Sequence, residues 1–454
     1  MDTGDTAWVL ASAALVLLMT PGLALFYGGM VRSKSVLNMM MMSFGALALI
    51  SVLWVLWGYS MAFGKDVGGG LLGDPTQFFG LKDLIGIFHE GDNLGQPTHL
   101  VGTVPALAFV GFQAVFAIIT VALISGAIAD RAKFSTWMVF CGIWATLVYF
   151  PVAHWVFAFD GVTAGADAAG GWIANQLAAI DFAGGTAVHI NAGAAGLALA
   201  LVLGKRVGFG RDPMRPHNLT LVMIGAGLLW FGWFGFNAGS AIGANGTAAV
   251  AWVNTMVATG AAALGWLATE KFRDGHATSL GGASGVVAGL VAITPSCSSV
   301  NPIGAIVIGA LAGVVCAMAV GLKYRLGFDD SLDVVGVHLV GGLLGTVLVG
   351  VLATADAPAG VDGLFYGGGV DQLWRQVVGA VSVMVFSFVV TYVLGMVLQR
   401  TIGFRLDEED EVAGIDSFEH AETAYDLVAL GGSGFRPGSA PVTTGATSSR
   451  EVPA

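Results

Sequence analysis

Two histidines, His189 and His338, stand in stretches that otherwise hold almost no polar side chains. Each follows an acid: Asp181-Phe-Ala-Gly-Gly-Thr-Ala-Val-His189 and Asp333-Val-Val-Gly-Val-His338. Imidazole has an unperturbed pKa near ~6.5, so it accepts or releases a proton under ordinary conditions. Burial without a counter-charge favours its neutral form. A neutral pair could share one proton between ring nitrogens and offer a line of donors and acceptors to a small polar molecule. A lone histidine more often caps or packs locally. Two of them, each behind an acid, argue for a shared site.

Aromatic residues supply the other candidate chemistry. Phe112, Gln113 and Phe116 share one stretch, and Trp230-Phe-Gly-Trp-Phe-Gly-Phe236-Asn-Ala-Gly-Ser240 forms another. His154, Trp155 and Phe157 form a third. Two readings stay open. One is an interfacial belt, which aromatic residues commonly make at membrane surfaces. The other is a cage for a cation, worth ~2 kcal/mol or more per desolvated face, with Ser240 adding an oxygen acceptor. A ring can also plug a pore and keep it dry. Asp181 could bind a cation directly. Acids at helix N-termini more commonly serve the backbone, so Asp181 and Asp333 are read as structural acids near the site.

The elements that must position these residues are membrane spans. Of 454 residues, 56% are hydrophobic and only 11% charged. Soluble domains run near ~25% charged, so the composition is that of a polytopic membrane protein. An ionisable group in such a span is expensive and is by default a functional hypothesis. Eleven stretches are long enough to cross ~30 Å of hydrocarbon. They run over about 8–31, 36–63, 101–128, 134–157, 183–204, 218–239, 247–268, 278–295, 302–322, 332–354 and 375–402. Lys and Arg cluster in alternate connections, at Arg32 and Lys34, Arg131 and Lys133, Lys205 to Arg215, Lys271 and Arg273, Lys323 and Arg325, and Arg400 and Arg405. The positive-inside rule then places the N-terminus outside and the C-terminus in the cytoplasm.

The expected fold is all-α, with two inverted five-helix repeats (about 8–204 and 218–354) and a final strap helix (375–402). Span five would run inwards and span ten outwards, so the two acid–His units approach the midplane from opposite faces. That is where inverted-repeat transporters hold substrate. Residues 1–402 form the transmembrane domain and 403–454 a cytoplasmic tail. The end of the tail, from about 430, has too little apolar surface to fold alone. The net charge of −11 is concentrated in the hydrophilic segments and is no guide to partners, and no basic run suggests nucleic-acid binding. Cys141, Cys297 and Cys316 show no ligand spacing, so no metal site or disulfide framework is indicated. No nucleophile set accompanies the histidines, which argues against an enzyme, and no cofactor is called for. The acidic start, Met1 to Asp5, does not fit a cleavable signal peptide.

At these motifs the chain resembles the bacterial ammonium transporters of the Amt/Mep/Rh superfamily, from about residue 6 to about residue 427. The most specific pieces are Asp181 to Asn191, Gly232 to Ser240, Gly204 to Gly210 with Pro216-His-Asn218, and Asp333 to His338. The resemblance implies a homotrimer in the cell membrane, each protomer with its own narrow pore for ammonium or ammonia. It implies that His189 and His338 are twin pore histidines, and that Phe116 and Phe236 form a stacked gate above them. It makes Ser240 part of an outer ammonium site and Asp181 an acid that shapes that site without touching the ion. The family's tryptophan at the outer site falls at Phe157, with Trp155 two residues earlier, and both are carried as candidates for substrate binding beside Phe116 and Ser240. The segment Arg405 to Asp416, with His420 and Ala424 to Asp426, resembles a tail that couples protomers and meets a PII-type signalling protein. The rival readings are an Rh-like electroneutral gas channel and a sensor that signals ammonium through its tail.

Overall fold

The computed structural model describes residues 1–89 and 94–425. Glu90 to Asn93 and everything from Asp426 on, including the tail beyond 430, lie outside the described residues. Among the described residues, ten helices are long and apolar enough to cross a membrane. In chain order, with one shorter helix among them, they are α1 (Thr3–Met30), α2 (Val36–Phe63), α3 (Ala106–Ile128), α4 (Phe134–Phe157), α5 (Gly185–Leu203), α6 (Leu219–Gly239), α7 (Gly246–Asp274), the shorter α8 (Ser279–Ile293), α9 (Pro302–Leu326), α10 (Val335–Leu352) and α11 (Asp371–Thr401). The eighth stretch therefore yields a helix of 15 residues that turns into a buried non-helical segment at Thr294 to Val300.

Helix starts follow local side-chain chemistry. Asp2, Asn218, Asn245, Thr278 and Asn301 each accept a hydrogen bond from the backbone N–H three residues on, at 2.9–3.1 Å. Each such cap satisfies one of the N–H groups that a helix leaves unpaired at its start. Between α2 and α3 the chain is mostly irregular. It ends in a two-residue hairpin, Leu100–Val101 against Val104–Pro105, so α3 begins five residues later than hydropathy alone places it.

Packing repeats itself in the two halves. α1 lies along α6, and α2 contacts α1, α3 and α4 as α7 contacts α6, α8 and α9. α5 packs on α10, and α11 crosses both. Glycines permit the close crossings. A Cβ on Gly193 of α5 would lie 2.5 Å from the Leu339 nitrogen in α10, and one on Gly345 of α10 would lie 2.1 Å from the Ala292 carbonyl oxygen in α8. Small residues allow such approach in lipid, where helix association has no hydrophobic drive.

At the end of the bundle where α11 finishes, charged groups are buried and paired. Arg206 grips Asp329 through two nitrogens at 2.9 Å and reaches Asp130 at 3.1 Å. Burial pushes the Asp329 carboxyl up, but Arg206 and Arg131 outweigh it and hold it below the usual carboxylate range. The tail then folds back over this end as two short helices, α12 (Glu408–Ala413) and α13 (Ile415–Glu419). The buried Glu411 accepts from Val207 N–H and from Arg405, both at 2.7 Å. Asp416 accepts the N–H groups of Leu37 and Asn38 at the start of α2, at 3.0 and 2.8 Å. Glu419 accepts that of Phe134 at the start of α4. The tail is thus pinned to the α1–α2, α3–α4 and α5–α6 connections of its own chain.

Candidate functional site

α5 and α10 begin alike. Their first turns, Gly185–Ile190 and Val335–Leu339, are wound as π-helix, with hydrogen bonds reaching five residues back. The His189 N–H donates to Gly184 O at 3.2 Å and the Val340 N–H to Val335 O. Single π turns inside α-helices are rare and gather at functional sites. Both histidines stand on these turns, and both are buried, at 1% and 4% exposure.

Asp181 holds the first turn. Its Oδ1 accepts the N–H of Gly184 (3.0 Å) and of Gly185 (2.5 Å). Its Oδ2 accepts the N–H of Thr186 (2.8 Å) and of Ala187 (3.2 Å), and the Thr186 hydroxyl. In α10 the same place belongs to Asp330, not to Asp333. Asp330 accepts the N–H of Val334 (3.0 Å) and Val335 (2.7 Å), four and five residues on, as Asp181 does for Gly185 and Thr186. The expectation that Asp333 is the counterpart of Asp181 is therefore corrected. Asp181 and Asp330 both precede their histidine by eight residues. Asp333 instead matches Gly184, three residues after each cap, and both have a left-handed backbone, φ +64° and +112°. Asp333 is held there by Lys323, whose Nζ lies 2.7 Å from Oδ1.

The aromatic rings and histidines form one column. The rings of Phe116 (α3) and Phe236 (α6) stack at 4.1 Å with 17° between planes. Phe236 lies 6.1 Å from the His189 ring, and Trp233, one turn before Phe236, stacks on His189 at 5.3 Å. His189 Nδ1 and His338 Nδ1 approach to 3.3 Å. Two ring nitrogens can share only one proton, so one Nδ1 donates and the other accepts. His189 Nε2 is buried with no partner among the described residues. Around this column Met19, Leu23, Phe26, Ile119 and Leu229 enclose a narrow apolar cavity of about 10 Å³, room for about one water-sized molecule.

Space continues on both sides of the column. Beyond the stacked rings, at the end where α1 begins, a vestibule of about 350 Å³ is lined by Asp5, Gln113, Phe157, Phe182, Ser240 and Asn245 among others. Phe157 meets Phe116 edge-on at 6.3 Å. The Ser240 hydroxyl donates to Phe236 O at 2.8 Å, which leaves its oxygen free to accept. Gln113 Oε1 is buried and has no hydrogen-bond partner among the described residues. Beyond His338, at the tail end, a smaller cavity is lined by Tyr27, Ser284, Asp333 and Val337.

Trp155 is not part of this group. Its Nε1 donates to Leu71 O at 2.8 Å, and its ring packs on Phe386 at 4.7 Å and Trp172 at 5.9 Å. Residues two apart on a helix face nearly opposite ways, so Phe157 and Trp155 cannot both reach the vestibule. The structure brings Phe116, Phe157, Phe236, Ser240, His189, His338 and Asp181 together. Asp330, Trp233, Gln113 and Asp5 join them; the sequence placed Gln113 and Trp233 in candidate aromatic stretches without a role of their own, gave Asp5 no part in the site, and Asp330 was missed. Two were within reach: Asp330 by the eight-residue spacing, and Trp233 by lying one helical turn from Phe236.

Comparison with known proteins gives one answer. The model of the Ammonium Transporter Family matches residues 7–425. A curated ammonium transporter of Mycobacterium tuberculosis (strain ATCC 25618 / H37Rv) is 64% identical over 447 residues, covering 96% of this chain and 93% of that protein. The crystal structure of Saccharomyces cerevisiae Mep2 superposes with a TM-score of 0.78 at 34% identity, over 90% of this chain and 88% of that one. A structure described as a Sensor Amt Protein superposes with a TM-score of 0.80 at 27% identity, over 92% and 98%.

Proposed function

The chain belongs to the ammonium transporter family, a family of membrane transporters rather than enzymes, and on that premise we propose how its residues pass ammonium. The cation is caught in the vestibule by the face of Phe157 and the oxygen of Ser240, above Phe116. It cannot continue as an ion, because an unpaired charge in a dry cavity costs many kcal/mol. It gives up its proton at the Phe116–Phe236 gate, and neutral ammonia passes His189 and His338 to the cavity by Asp333. The single observation that carries this reading is the column itself. A closed ring stack leads into an apolar cavity whose polar lining is two histidines sharing one proton.

The demand for proton loss also gives selectivity. Potassium resembles ammonium in size but has no proton to surrender. A proton that follows through the histidine pair makes transport electrogenic, which a current reads directly. The vestibule with Ser240 and Phe157 favours cation capture over an Rh-like gas channel. Asp181 serves as scaffold, since its two oxygens are already occupied by five donors.

In this reading residues 1–402 are the transport unit of a homotrimer in the cell membrane, with the vestibule outside. Residues 403–454 are a regulatory tail in the cytoplasm. The tail's acids Asp407 to Glu409 are exposed, and in this reading a PII-type protein would meet them. A purely sensory role needs an output segment, and the described tail is two short helices docked on the transport unit itself.

The test is flux and current in proteoliposomes on addition of ammonium, then potassium. Ammonium-evoked current without a potassium response supports electrogenic transport, and flux without current removes that version. His189→Asp and His338→Asp should each abolish transport or change ammonium/potassium discrimination. If both left transport and selectivity untouched, the pore-histidine reading would be wrong.

A further inference from the structure

We infer that Asp5 is the electrostatic collector of the vestibule: a fixed carboxylate that raises the local ammonium concentration and so sets the half-saturating concentration for transport. The inference rests on the transport reading above and adds a residue that the reading does not use. Asp5 is the one charged side chain among the described residues lining the vestibule. Its sign is that which concentrates ammonium and repels anions. A cleft lined by one sign of charge focuses field and raises local ion concentration and association rates.

The carboxylate is positioned rather than free. Its Oδ2 accepts the Thr103 hydroxyl at 2.6 Å, from the hairpin before α3, and its Oδ1 accepts the Ala244 N–H at 2.8 Å, from the α6–α7 connection. The Asp5 backbone N–H in turn donates to Asp2 Oδ1 at 2.9 Å. Three elements therefore hold the charge at the rim of the cavity. Each carboxylate oxygen has capacity for a second donor. Deeper in the same cavity, Gln113 Oε1 is an acceptor that is 94% buried by residue and has no partner among the described residues. A cation drawn in by Asp5 therefore meets an unused acceptor next to Ser240 and Phe157.

These bonds also make Asp5 a strap between α1, the hairpin and the segment following Ser240. The two roles separate by ionic strength. The Debye length falls from ~30 Å at 0.01 M to ~3 Å at 1 M. A collector fades over that range, whereas a strap does not.

The experiment measures ammonium-dependent flux of the full chain in phosphatidylcholine proteoliposomes, with ionic strength set by N-methylglucamine chloride. At low ionic strength, Asp5→Asn should raise the half-saturating ammonium concentration about two- to five-fold, with the maximal rate unchanged. At 1 M the variant and the parent should coincide. An unchanged half-saturation at low ionic strength overturns the inference, and so does an equal shift at both ionic strengths. A second variant covers the case in which Asp5→Asn fails to fold. Asn245→Asp adds a carboxylate to the same cavity and keeps an oxygen to cap α7, and it should lower the half-saturating concentration at low ionic strength. No change there overturns the inference too. If the parent protein itself passes no ammonium, the transport reading fails instead, and the two failures are told apart.

Discussion

Replacing Asp181 tests the scaffold beneath the site. The carboxylate accepts four backbone N–H groups and one hydroxyl, and the residue is only 8% exposed. In Asp181→Ala those four N–H groups lose their acceptor. A buried donor left unsatisfied costs about 1–3 kcal/mol. Water entering the vacated space re-pairs some of them, and neighbouring losses do not add in full. A net cost of roughly 3–5 kcal/mol remains, enough to unwind the turn that carries His189. Asp181→Asn keeps the volume and one accepting oxygen, so about half of that cost is expected. Asp330 serves two N–H groups rather than four. Asp330→Ala should therefore be milder than Asp181→Ala, at about 2–3 kcal/mol. The assay is the thermal midpoint of purified protein in detergent, with ammonium flux in liposomes as a second readout. The expected order of loss is Asp181→Ala, then Asp181→Asn or Asp330→Ala, then parent. The reasoning is refuted if Asp181→Ala keeps the parent midpoint. Should it also lose ammonium binding, the carboxylate is a ligand and not a scaffold.

Three further outcomes are expected. Phe236→Ala removes one ring of the 4.1 Å stack and opens the gate to water, so potassium current in proteoliposomes should rise and ammonium/potassium discrimination should fall. Glu411→Ala strands Arg405 and the Val207 N–H. Breaking a buried pair costs about 3–5 kcal/mol, so limited proteolysis should cut the 405–425 segment faster while the transport unit stays intact. The loop after α2 should loosen only in acid. Burial pushes the Asp66 carboxyl up, but the N–H groups of Gly70 and Gly68 and the His154 imidazole outweigh it and leave it below the usual range. A depressed carboxyl stabilises the folded state above the unfolded value of ~3.9 and loses that contribution as pH falls through the folded one. The protection of residues 64–74 against hydrogen exchange, taken relative to the intrinsic rate at each pH, should hardly change from pH 7 to pH 5 and should fall below about pH 4, whereas Asp66→Asn should be weakly protected throughout.

The spans were legible because lipid leaves a chain few options. Backbone groups must pair within the helix, so length and hydropathy set the elements. Boundaries were less legible where side chains rather than hydropathy end a helix. α1 starts at Thr3 because Asp2 caps it, five residues before the apolar run begins. α7 runs on to Asp274, past its last apolar stretch. α8 is short because the chain from Thr294 onward stays buried through turn hydrogen bonds such as Ser296 N–H to Ile293 O. The histidine pair was visible as two rare polar residues, but its 3.3 Å contact was not, because no residue type encodes a π turn. Trp155 was readable in principle. Residues two apart on a helix cannot share a face, so helical periodicity alone separates it from Phe157. The α10 cap was misplaced by attention to the nearest acid instead of the repeated spacing.

That repeated spacing bears on direction. Both halves build one device: an acid, a left-handed residue three later, a π turn, and a histidine eight after the acid. They differ at the left-handed position. On the vestibule side it is Gly184, where a Cβ would lie 3.4 Å from the Phe157 ring. No charge or hydroxyl stands there, and the aromatic wall is unbroken. On the tail side it is Asp333, paired with Lys323 and lining the cavity below His338 with Tyr27 and Ser284. A left-handed backbone is costly for a residue with a Cβ, and aspartate is among the types that tolerate it. Glycine would have been the cheaper choice here as it is at Gly184. The charge at Asp333 is therefore the distinctive use of this place. On the proposed path, a neutral molecule leaving the histidines toward the tail end would meet hydroxyls and an ion pair, groups able to solvate it. One leaving toward the vestibule would first have to pass the stacked Phe116 and Phe236 rings. Symmetric helices with unlike residues at one matched position thus give a symmetric pore two unlike mouths.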